Sequence, residues 1–377
     1  MKEKVLILAS VASMIDQFNI PNIKLLQEMG YEVHVACNFE KGNSCSFEKI
    51  QGLKNFLENM KVKYYQINFE RNVLKVFSNF SAYKDVKKIL EKNKYKFLHC
   101  HSPIGGVIGR IAGHLTKTKV IYTAHGFHFF KGAPLINWLI YYPIEKYLSK
   151  YTDILITINK EDYERAKTFL AKRVEYIPGV GVDVEKIRNI EVNKDKKREE
   201  LGLTKDNIVL LSVGELNKNK NHEVVIKALA QLNNPNIHYL ICGQGNLKGY
   251  LEKLIRKLKL ENNIKLLGFR KDIYEIYKIS DVFVFPSKRE GLSVALMEAI
   301  VCELPVICSN IRGNIDLISS GINGILVDRE RFSLEVLKNR KFQDIKKTKI
   351  NFNKKIIEKI NIIEIEKKKR KLYEKTI

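Results

Sequence analysis

Cysteine is scarce in this chain. Its six residues, Cys37, Cys45, Cys100, Cys242, Cys302 and Cys308, are scattered over 377 positions with no CxxC pair. That spacing excludes a disulfide framework and points to reduced thiols in a cytoplasmic protein. Long apolar runs are missing as well. The longest, Pro134 to Ile144, is broken by Asn137 and Pro143 and falls short of the about 20 residues that a spanning helix needs. Lys2 and Lys4 before the run Val5 to Ala12 imitate a signal peptide, but Asp16 and the amphipathic stretch around it fit a first β-strand better. No short-period repeat is present, which disfavours a solenoid or propeller, and neither a GxSxG elbow nor a Walker loop occurs.

Acidic residues are in deficit: 42 Asp and Glu against 66 Lys and Arg leave a net charge of +24. Such an excess favours phosphates, nucleic acid or anionic lipid. Lys, Ile and Asn are abundant throughout, however, so a general compositional bias accounts for part of it and charge alone decides nothing.

What is present is the composition of a folded globular protein, 45% apolar, 10% aromatic and 29% charged. A chain of 377 residues exceeds one ordinary hydrophobic core and suggests two. Short β-branched runs alternate with stretches of helical period: Val5-Leu-Ile-Leu, a helix near Pro21 to Met29, Glu32-Val-His-Val-Ala, a helix near Phe80 to Asn93, Phe97-Leu-His-Cys, and so on to Asp153-Ile-Leu-Ile-Thr-Ile. The pattern pauses at Pro178-Gly-Val-Gly-Val-Asp183 and a charged stretch, then resumes with Ile208-Val-Leu-Leu-Ser-Val, His238 to Cys242, Ile264 to Leu267, Asp281 to Phe285 and Pro305 to Cys308. The expectation is α/β: two doubly wound, Rossmann-like parallel sheets facing a central cleft, with ligands at the carboxyl ends of the strands. Residues 1–185 would form the N-terminal domain and residues 186–355 the C-terminal domain. Residues 356–377, with Ile356, Ile360 and Ile363 at helical spacing, would close back onto the first.

The segment Phe285-Pro-Ser-Lys-Arg-Glu-Gly-Leu-Ser-Val-Ala-Leu-Met-Glu-Ala-Ile300 carries most of the functional information. A buried strand ends at Pro286 and a helix is expected to start near Leu292. Eight helical steps would separate Glu290 from Glu298 by about 12 Å, similar to the reach of a nucleotide-diphosphate sugar from hexose to ribose. Between them the free amides of Leu292, Ser293 and Val294 and the positive helix end suit a diphosphate. Against this stands the ordinary reading of a helix-start carboxylate and a solvated helix face.

With its continuation from Cys302 to Val327, this stretch resembles the nucleotide-sugar site of the retaining glycosyltransferases of family 4, which have the GT-B fold. The resemblance implies that Glu298 binds the ribose hydroxyls, that Glu290 contacts the transferred sugar near its anomeric centre, and that Gly291 and Leu292 leave their amides open to phosphate. Glu303 departs from the pattern, since most relatives have Gly in that turn. A second phosphate element is Val213-Gly-Glu-Leu-Asn-Lys-Asn-Lys-Asn221, where Gly214 lets the backbone approach a ligand and Lys220 faces an anion. The family commonly has Arg where Glu215 stands. Gly243-Gln-Gly245 lacks the third glycine of a dinucleotide fingerprint, because Lys248 occupies its place. The resemblance makes that turn part of the nucleotide wall and sets Gly268-Phe269-Arg270 beside the base.

In the first half, Thr123-Ala-His-Gly-Phe-His-Phe-Phe-Lys131 follows a strand, and the resemblance makes His125 a catalytic-site residue. His99-Cys-His101-Ser-Pro-Ile-Gly-Gly106 resembles the acceptor-side loop, with His101, Gly105, Gly106 and Arg110 as its residues. No carboxylate cluster or second HxH supports a metal at His99 and His101, and no DxD triplet is present. Neither metal nor cofactor is implied. From Lys54 to Lys96 eleven Lys and Arg stand against four acids, with Tyr64, Tyr65, Phe69, Phe77, Phe80 and Tyr83 interleaved. That edge, with Phe127 to Phe130, Trp138, Tyr141 and Tyr142, would suit an anionic inner-leaflet membrane surface. From Lys338 onward fifteen Lys and Arg face five acids.

The function expected is transfer of a hexose or N-acetylhexosamine, with retention, from a nucleotide-diphosphate sugar such as a UDP-sugar to a polyprenyl-diphosphate-linked or growing cell-surface polysaccharide. The expected location is cytoplasmic, peripheral at the membrane. Alternatives are a non-hydrolysing nucleotide-sugar epimerase and a basic RNA-binding protein. The latter does not account for the paired glutamates, so no nucleic-acid partner is expected.

Overall fold

Strands rich in Val, Ile and Leu with little polar alternation belong in parallel sheets covered on both faces, and that is what the chain builds. The computed structural model describes residues 2–43, 45–70, 76–328, 331–332 and 354–376. The first sheet comprises β1 (Lys4–Leu8), β2 (Glu32–Cys37), β3 (Lys63–Gln66), β4 (Phe97–His101), β5 (Lys119–Ala124), β6 (Ile154–Thr157) and β7 (Arg173–Tyr176). The second comprises β8 (Ile208–Val213), β9 (Ile237–Cys242), β10 (Ile264–Gly268), β11 (Val282–Phe285), β12 (Val306–Ser309) and β13 (Gly324–Val327).

The orders are β3-β2-β1-β4-β5-β6-β7 and β10-β9-β8-β11-β12-β13, and every pairing is parallel. The strand order reverses between β1 and β4 in one sheet and between β8 and β11 in the other. Ligands of doubly wound folds bind outside the carboxyl ends at such reversals. The sequence elements singled out above, Val213 to Asn221 and Phe285 to Ile300, leave the carboxyl ends of β8 and β11.

Alternation along β1 feeds two cores. Val5 and Ile7 join the cluster with Ile121, Ile154 and Ile156, whereas Leu6 and Leu8 join Leu98, Val120 and Leu155 on the other face. In the second sheet Leu210, Val282, Val284 and Ile307 share a core with Val225 and Ile226 of the helix His222–Leu232.

Two compact units result: residues 1–180 with 364–377, and residues 181–363. The first division falls inside the Pro178 to Asp183 segment, where Gly179 and Gly181 hold φ of 69° and 78°, a little before residue 185. Helix Lys354–Ile360 belongs to the second unit and buries Ile357 and Ile360. From Glu364 the last helix, Ile362–Glu374, belongs to the first unit, burying Ile365, Leu372 and Tyr373 in the β1 core. Tyr373 stacks on Phe97 with ring centroids 5.7 Å apart. Ile356 and Ile363 are not among the buried positions; Ile363 is exposed. The basic run between residues 333 and 353 lies outside the described residues.

Glu303, in the turn before β12, sits at φ 57°. This is the left-handed region in which glycine carries no Cβ penalty.

Candidate functional site

In the second unit the loops leaving β8 and β11 are stitched together. Lys288 donates its backbone N–H to the Asn219 carbonyl at 2.8 Å, and Asn219 Nδ2 donates to the Arg289 carbonyl at 2.9 Å. Lys220 Nζ pairs with Glu290 Oε1 at 2.7 Å and lies 4.6 Å from the centre of the Phe285 ring. Both charged groups are mostly enclosed, with Lys220 17% and Glu290 12% exposed. Arg312 Nε donates to the Glu290 carbonyl at 3.2 Å. Two of the residues named from sequence thus meet each other directly, a contact that spacing did not reveal.

The helix here is Val294–Val301, not one starting at Leu292. Ser293 is its N-cap, and its hydroxyl accepts from the Leu296 N–H at 3.4 Å. Leu292 is buried, and Gly291 lies so close to the turn at Gly313 that a Cβ on Gly313 would stand 2.3 Å from the Gly291 carbonyl oxygen. Glu290 is therefore on a loop and only Glu298 is helical, so the span of eight helical steps between them does not hold.

Glu298 is gripped by two phenols. Tyr274 and Tyr277 each donate to one of its carboxylate oxygens at 3.2 Å. Burial dominates over these hydrogen bonds and raises its pKa to about 7. Neither tyrosine was named from sequence; the spacing Tyr274 to Tyr277 on the helix Ile273–Ile279 was the available signal.

Gly214, read from sequence as a point where a ligand approaches, and Gly243 and Gly245, read as part of the nucleotide wall, lie close to atoms of the protein itself. A Cβ on Gly243 would fall 1.9 Å from the Gly214 carbonyl oxygen, and one on Gly245 would fall 2.4 Å from that of Leu216. At Gly214 the nearest atom would be Lys220 Cε at 3.1 Å. Backbone bonds from Gly214 N–H to Cys242 and from Gly243 N–H to Gly268, at 2.9 and 2.7 Å, join the loops after β8, β9 and β10 into one wall. On that wall Phe269 is 64% exposed, while Arg270 is tied to Asp272 at 2.6 Å and to Glu200 at 3.3 Å.

In the first unit the carboxyl ends of β4 and β5 bring three imidazoles together. His101 Nδ1 lies 3.0 Å from His125 Nε2, and the His99 and His101 rings are 4.2 Å apart. His99 Nε2 contacts Thr123 Oγ1 at 2.8 Å and its Nδ1 contacts the Tyr373 hydroxyl at 3.0 Å. Burial holds all three below the usual histidine range, His125 at about 4. A second cause of the His125 shift is Lys369, which the last helix delivers to the same small cavity. Lys369 Nζ donates to Asn22 Oδ1 at 2.8 Å, and burial lowers its pKa to about 8. His125 is consequently neutral at physiological pH. It can donate or accept a hydrogen bond without carrying charge. Lys369 lies far along the chain in a lysine-rich helix, and nothing in its local pattern marked it.

The remaining acceptor-side residues need correction. Arg110 is fully buried, pairs with Glu145 at 2.8 Å and stacks 4.3 Å from the Tyr122 ring. Gly106 makes room for Tyr122, whose ring would lie 2.5 Å from an added Cβ, and a Cβ added at Gly105 would lie 3.0 Å from Ser102 Oγ and 3.3 Å from the Ser10 backbone nitrogen. These residues seat the helix Pro103–Leu115 on the sheet. A guanidinium that is 0% exposed, ion-paired with Glu145 and donating its Nε–H to the Gly106 carbonyl has no face open to a ligand in solvent.

Residues 193–361 match the sequence family described as Glycosyl transferases group 1, and residues 4–159 match that described as Glycosyl transferase 4-like. EpsD of Bacillus subtilis is 37% identical over 335 residues, covering 87% of this chain and 84% of its own. An Escherichia coli protein, UDP-Gal:alpha-D-GlcNAc-diphosphoundecaprenol alpha-1,3-galactosyltransferase, is 36% identical over 265 residues, 66% of this chain and 68% of its own. Anabaena HepE, solved in complex with UDP-glucose, superposes with a TM-score of 0.76 at 18% identity over 99% of both chains. That likeness concerns the fold.

Proposed function

Because the chain belongs to the group 1, family 4 glycosyltransferases, retaining enzymes of the GT-B fold, we propose that it moves a hexose or N-acetylhexosamine from a UDP-sugar to a polyprenyl-diphosphate-linked glycan. The product would be a growing capsular or exopolysaccharide chain, assembled at the cytoplasmic face of the membrane. The observation that carries the donor half is the pair of acidic groups at the carboxyl ends of β8 and β11: Glu290 ion-paired to Lys220, and Glu298 held by two tyrosines. The name of the Escherichia coli relative, with its UDP-galactose and diphosphoundecaprenol-linked acceptor, supports the choice of partners.

Glu298 takes the ribose diol, whose two hydroxyls donate to its carboxylate. Lys220 and the amides at Leu292 and Ser293 stabilise the diphosphate as negative charge grows on it. In front-face substitution the anomeric carbon's bond to the diphosphate oxygen breaks and its electron pair stays with that oxygen. The acceptor oxygen bonds to the same face of the carbon, and its proton passes to the departing phosphate. Glu290 holds the transferred sugar and steadies Lys220. In the first unit His125 is an uncharged hydrogen-bond partner for a hydroxyl group.

Initial rates with a defined UDP-sugar and a lipid-linked acceptor test the reading. Glu298→Ala should raise donor KM by about tenfold or more, the worth of a charge-assisted hydrogen bond. Glu290→Ala should lower kcat by about 10²-fold in a chain that still folds, with a lower melting temperature because Lys220 loses its partner. Wild-type turnover in both variants, or donor isomerisation with no acceptor present, would overturn it.

A further inference from the structure

Of the polar groups gathered at the carboxyl ends of β4 and β5, most are closed off from solvent. His99 and His101 are 1% exposed and Lys369 is 7% exposed, whereas His125 is half-buried. The cavity that His101, His125 and Lys369 line has a volume of about 20 Å³, room for one water and far too little for a sugar ring. His101 and Lys369 therefore act on a ligand only through His125.

A neutral imidazole carries one N–H and one lone pair. The 3.0 Å contact between His101 Nδ1 and His125 Nε2 thus holds a single proton, which either ring can own. The far nitrogen of His101 settles the ownership. His101 Nε2 is buried and has no hydrogen-bond partner among the described residues. If His125 owned the shared proton, His101 would carry its own on Nε2, a buried N–H without an acceptor beside a cavity lined by an ammonium group. Such a donor loses its hydration and gains nothing in return. If His101 owns it, Nε2 is a bare lone pair in the field of a cation, the favourable arrangement.

That field is held in place. Lys369 Nζ donates to Asn22 Oδ1, and Asn22 Nδ2 donates in turn to Asn19 Oδ1 at 2.9 Å. Its partner is an amide, which leaves the ammonium charge uncancelled. Burial, and with it the Lys369 charge, disfavours a further proton on each of the three rings. His99 stands outside the exchange, because both its nitrogens are taken by Thr123 and Tyr373.

We propose that Lys369 and His101 are positioning residues that fix His125 in one tautomer: His101 Nδ1–H donates to His125 Nε2, and His125 presents its Nδ1–H to the ligand. The inference rests on the reading of His125 as an uncharged partner of the ligand and gives that partner a direction. What it recognises is an oxygen with a lone pair to offer, a hydroxyl or ether oxygen of a sugar. A ring whose Nε2 accepts from His101 and whose Nδ1 is already protonated has no site left to take the acceptor's proton. That agrees with a front-face reaction in which the departing phosphate receives it.

The test is long-range proton–nitrogen correlation NMR of the full chain carrying isotope-labelled histidine, at neutral pH. Protonated and bare ring nitrogens of a neutral imidazole give well-separated signals, and the set lost in His125→Gln assigns that ring. Wild type should show both His125 and His101 protonated at Nδ1. Lys369→Gln removes the charge, keeps an amide N–H for Asn22 and offers His101 Nε2 an acceptor oxygen. It should shift His125 toward the Nε2–H form and lower kcat for transfer from a UDP-sugar by about tenfold, the worth of one hydrogen bond. A purely structural role for Lys369 would leave the tautomer unmoved. His125 protonated at Nε2 in the wild type overturns the proposal, and this spectrum is decisive even where the variant does not fold. A folded Lys369→Gln chain with unchanged tautomer and unchanged kcat overturns it too. An Nδ1–H tautomer at His125 in a chain that transfers no sugar would support the proton arrangement and strike the proposed reaction alone.

Discussion

The two sheets repeat one strand order, yet their carboxyl ends at the reversal are chemically opposite. In the second unit the loops present matched charges, Lys220 with Glu290, and a carboxylate clasped by phenols. In the first, the neutral imidazoles of His101 and His125 and a lysine held by an amide line a small cavity, with the His99 ring packed on His101. One end is built from ion-paired charge, the other from uncharged hydrogen-bonding groups. Their responses to pH differ in sign as well. Burial moves His125 from 6.5 down to about 4, so the unfolded chain binds that proton more tightly and acidification between those values destabilises the first unit. Burial moves Glu298 from 4.5 up to about 7, so its contribution is complete below 4.5 and is lost as pH rises through 7. His222, also lowered to about 4, opposes Glu298 within the second unit. A repeated backbone thus carries no commitment to repeated electrostatics.

The comparison breaks first at Arg110. If the first unit keeps its charges inside as scaffold, Arg110→Ala should destabilise by about 3–5 kcal/mol, because it strands the buried Glu145 carboxylate. Chemical denaturation of the full chain measures this. An unchanged midpoint combined with a raised acceptor KM would instead return Arg110 to the ligand. A smaller and pH-dependent effect is expected in the second unit. Glu298→Gln should be more stable than wild type by up to about 3 kcal/mol above pH 7, with the gain fading toward pH 4.5. Melting curves across that range check it, and a gain independent of pH would rule out ionisation as its source. The smallest effect concerns the turn before β12. Glu303→Gly should stabilise by about 1 kcal/mol through relief of the left-handed φ, since the ion pair to Arg188 is long at 3.9 Å. A lower melting temperature for that variant would show that the pair outweighs the backbone strain.

The interior strands of both sheets were legible because each is a short apolar run between helices. The three strands missing from the sequence reading are β3, β7 and β13, all at sheet edges. In β3 the run is Lys63-Tyr-Tyr-Gln, partly exposed throughout, which has no core face for periodicity to register. Glu303 was legible as a departure from a glycine position, and its positive φ supplies the reason. The glycines misled in part: Gly214 marked a close approach, but the nearest atom there is Lys220 Cε, and Gly105, Gly106, Gly243 and Gly245 also lie against atoms of the protein itself. The aromatic residues near Trp138 misled similarly. They turn inward and leave the aliphatic side of their helix in water.

Local pattern determined what local physics can determine: two runs of parallel βαβ units and the loops at which each sheet reverses. Which side chains satisfy one another was settled only by folding. Lys220 with Glu290, Tyr274 and Tyr277 with Glu298, Arg110 with Glu145, and Lys369 beside His125 are partners separated by 70, 24, 21, 35 and 244 positions respectively. Charge, burial and proton affinity depend on neighbours in space, and no periodicity along a chain encodes a neighbour that arrives from a distant helix.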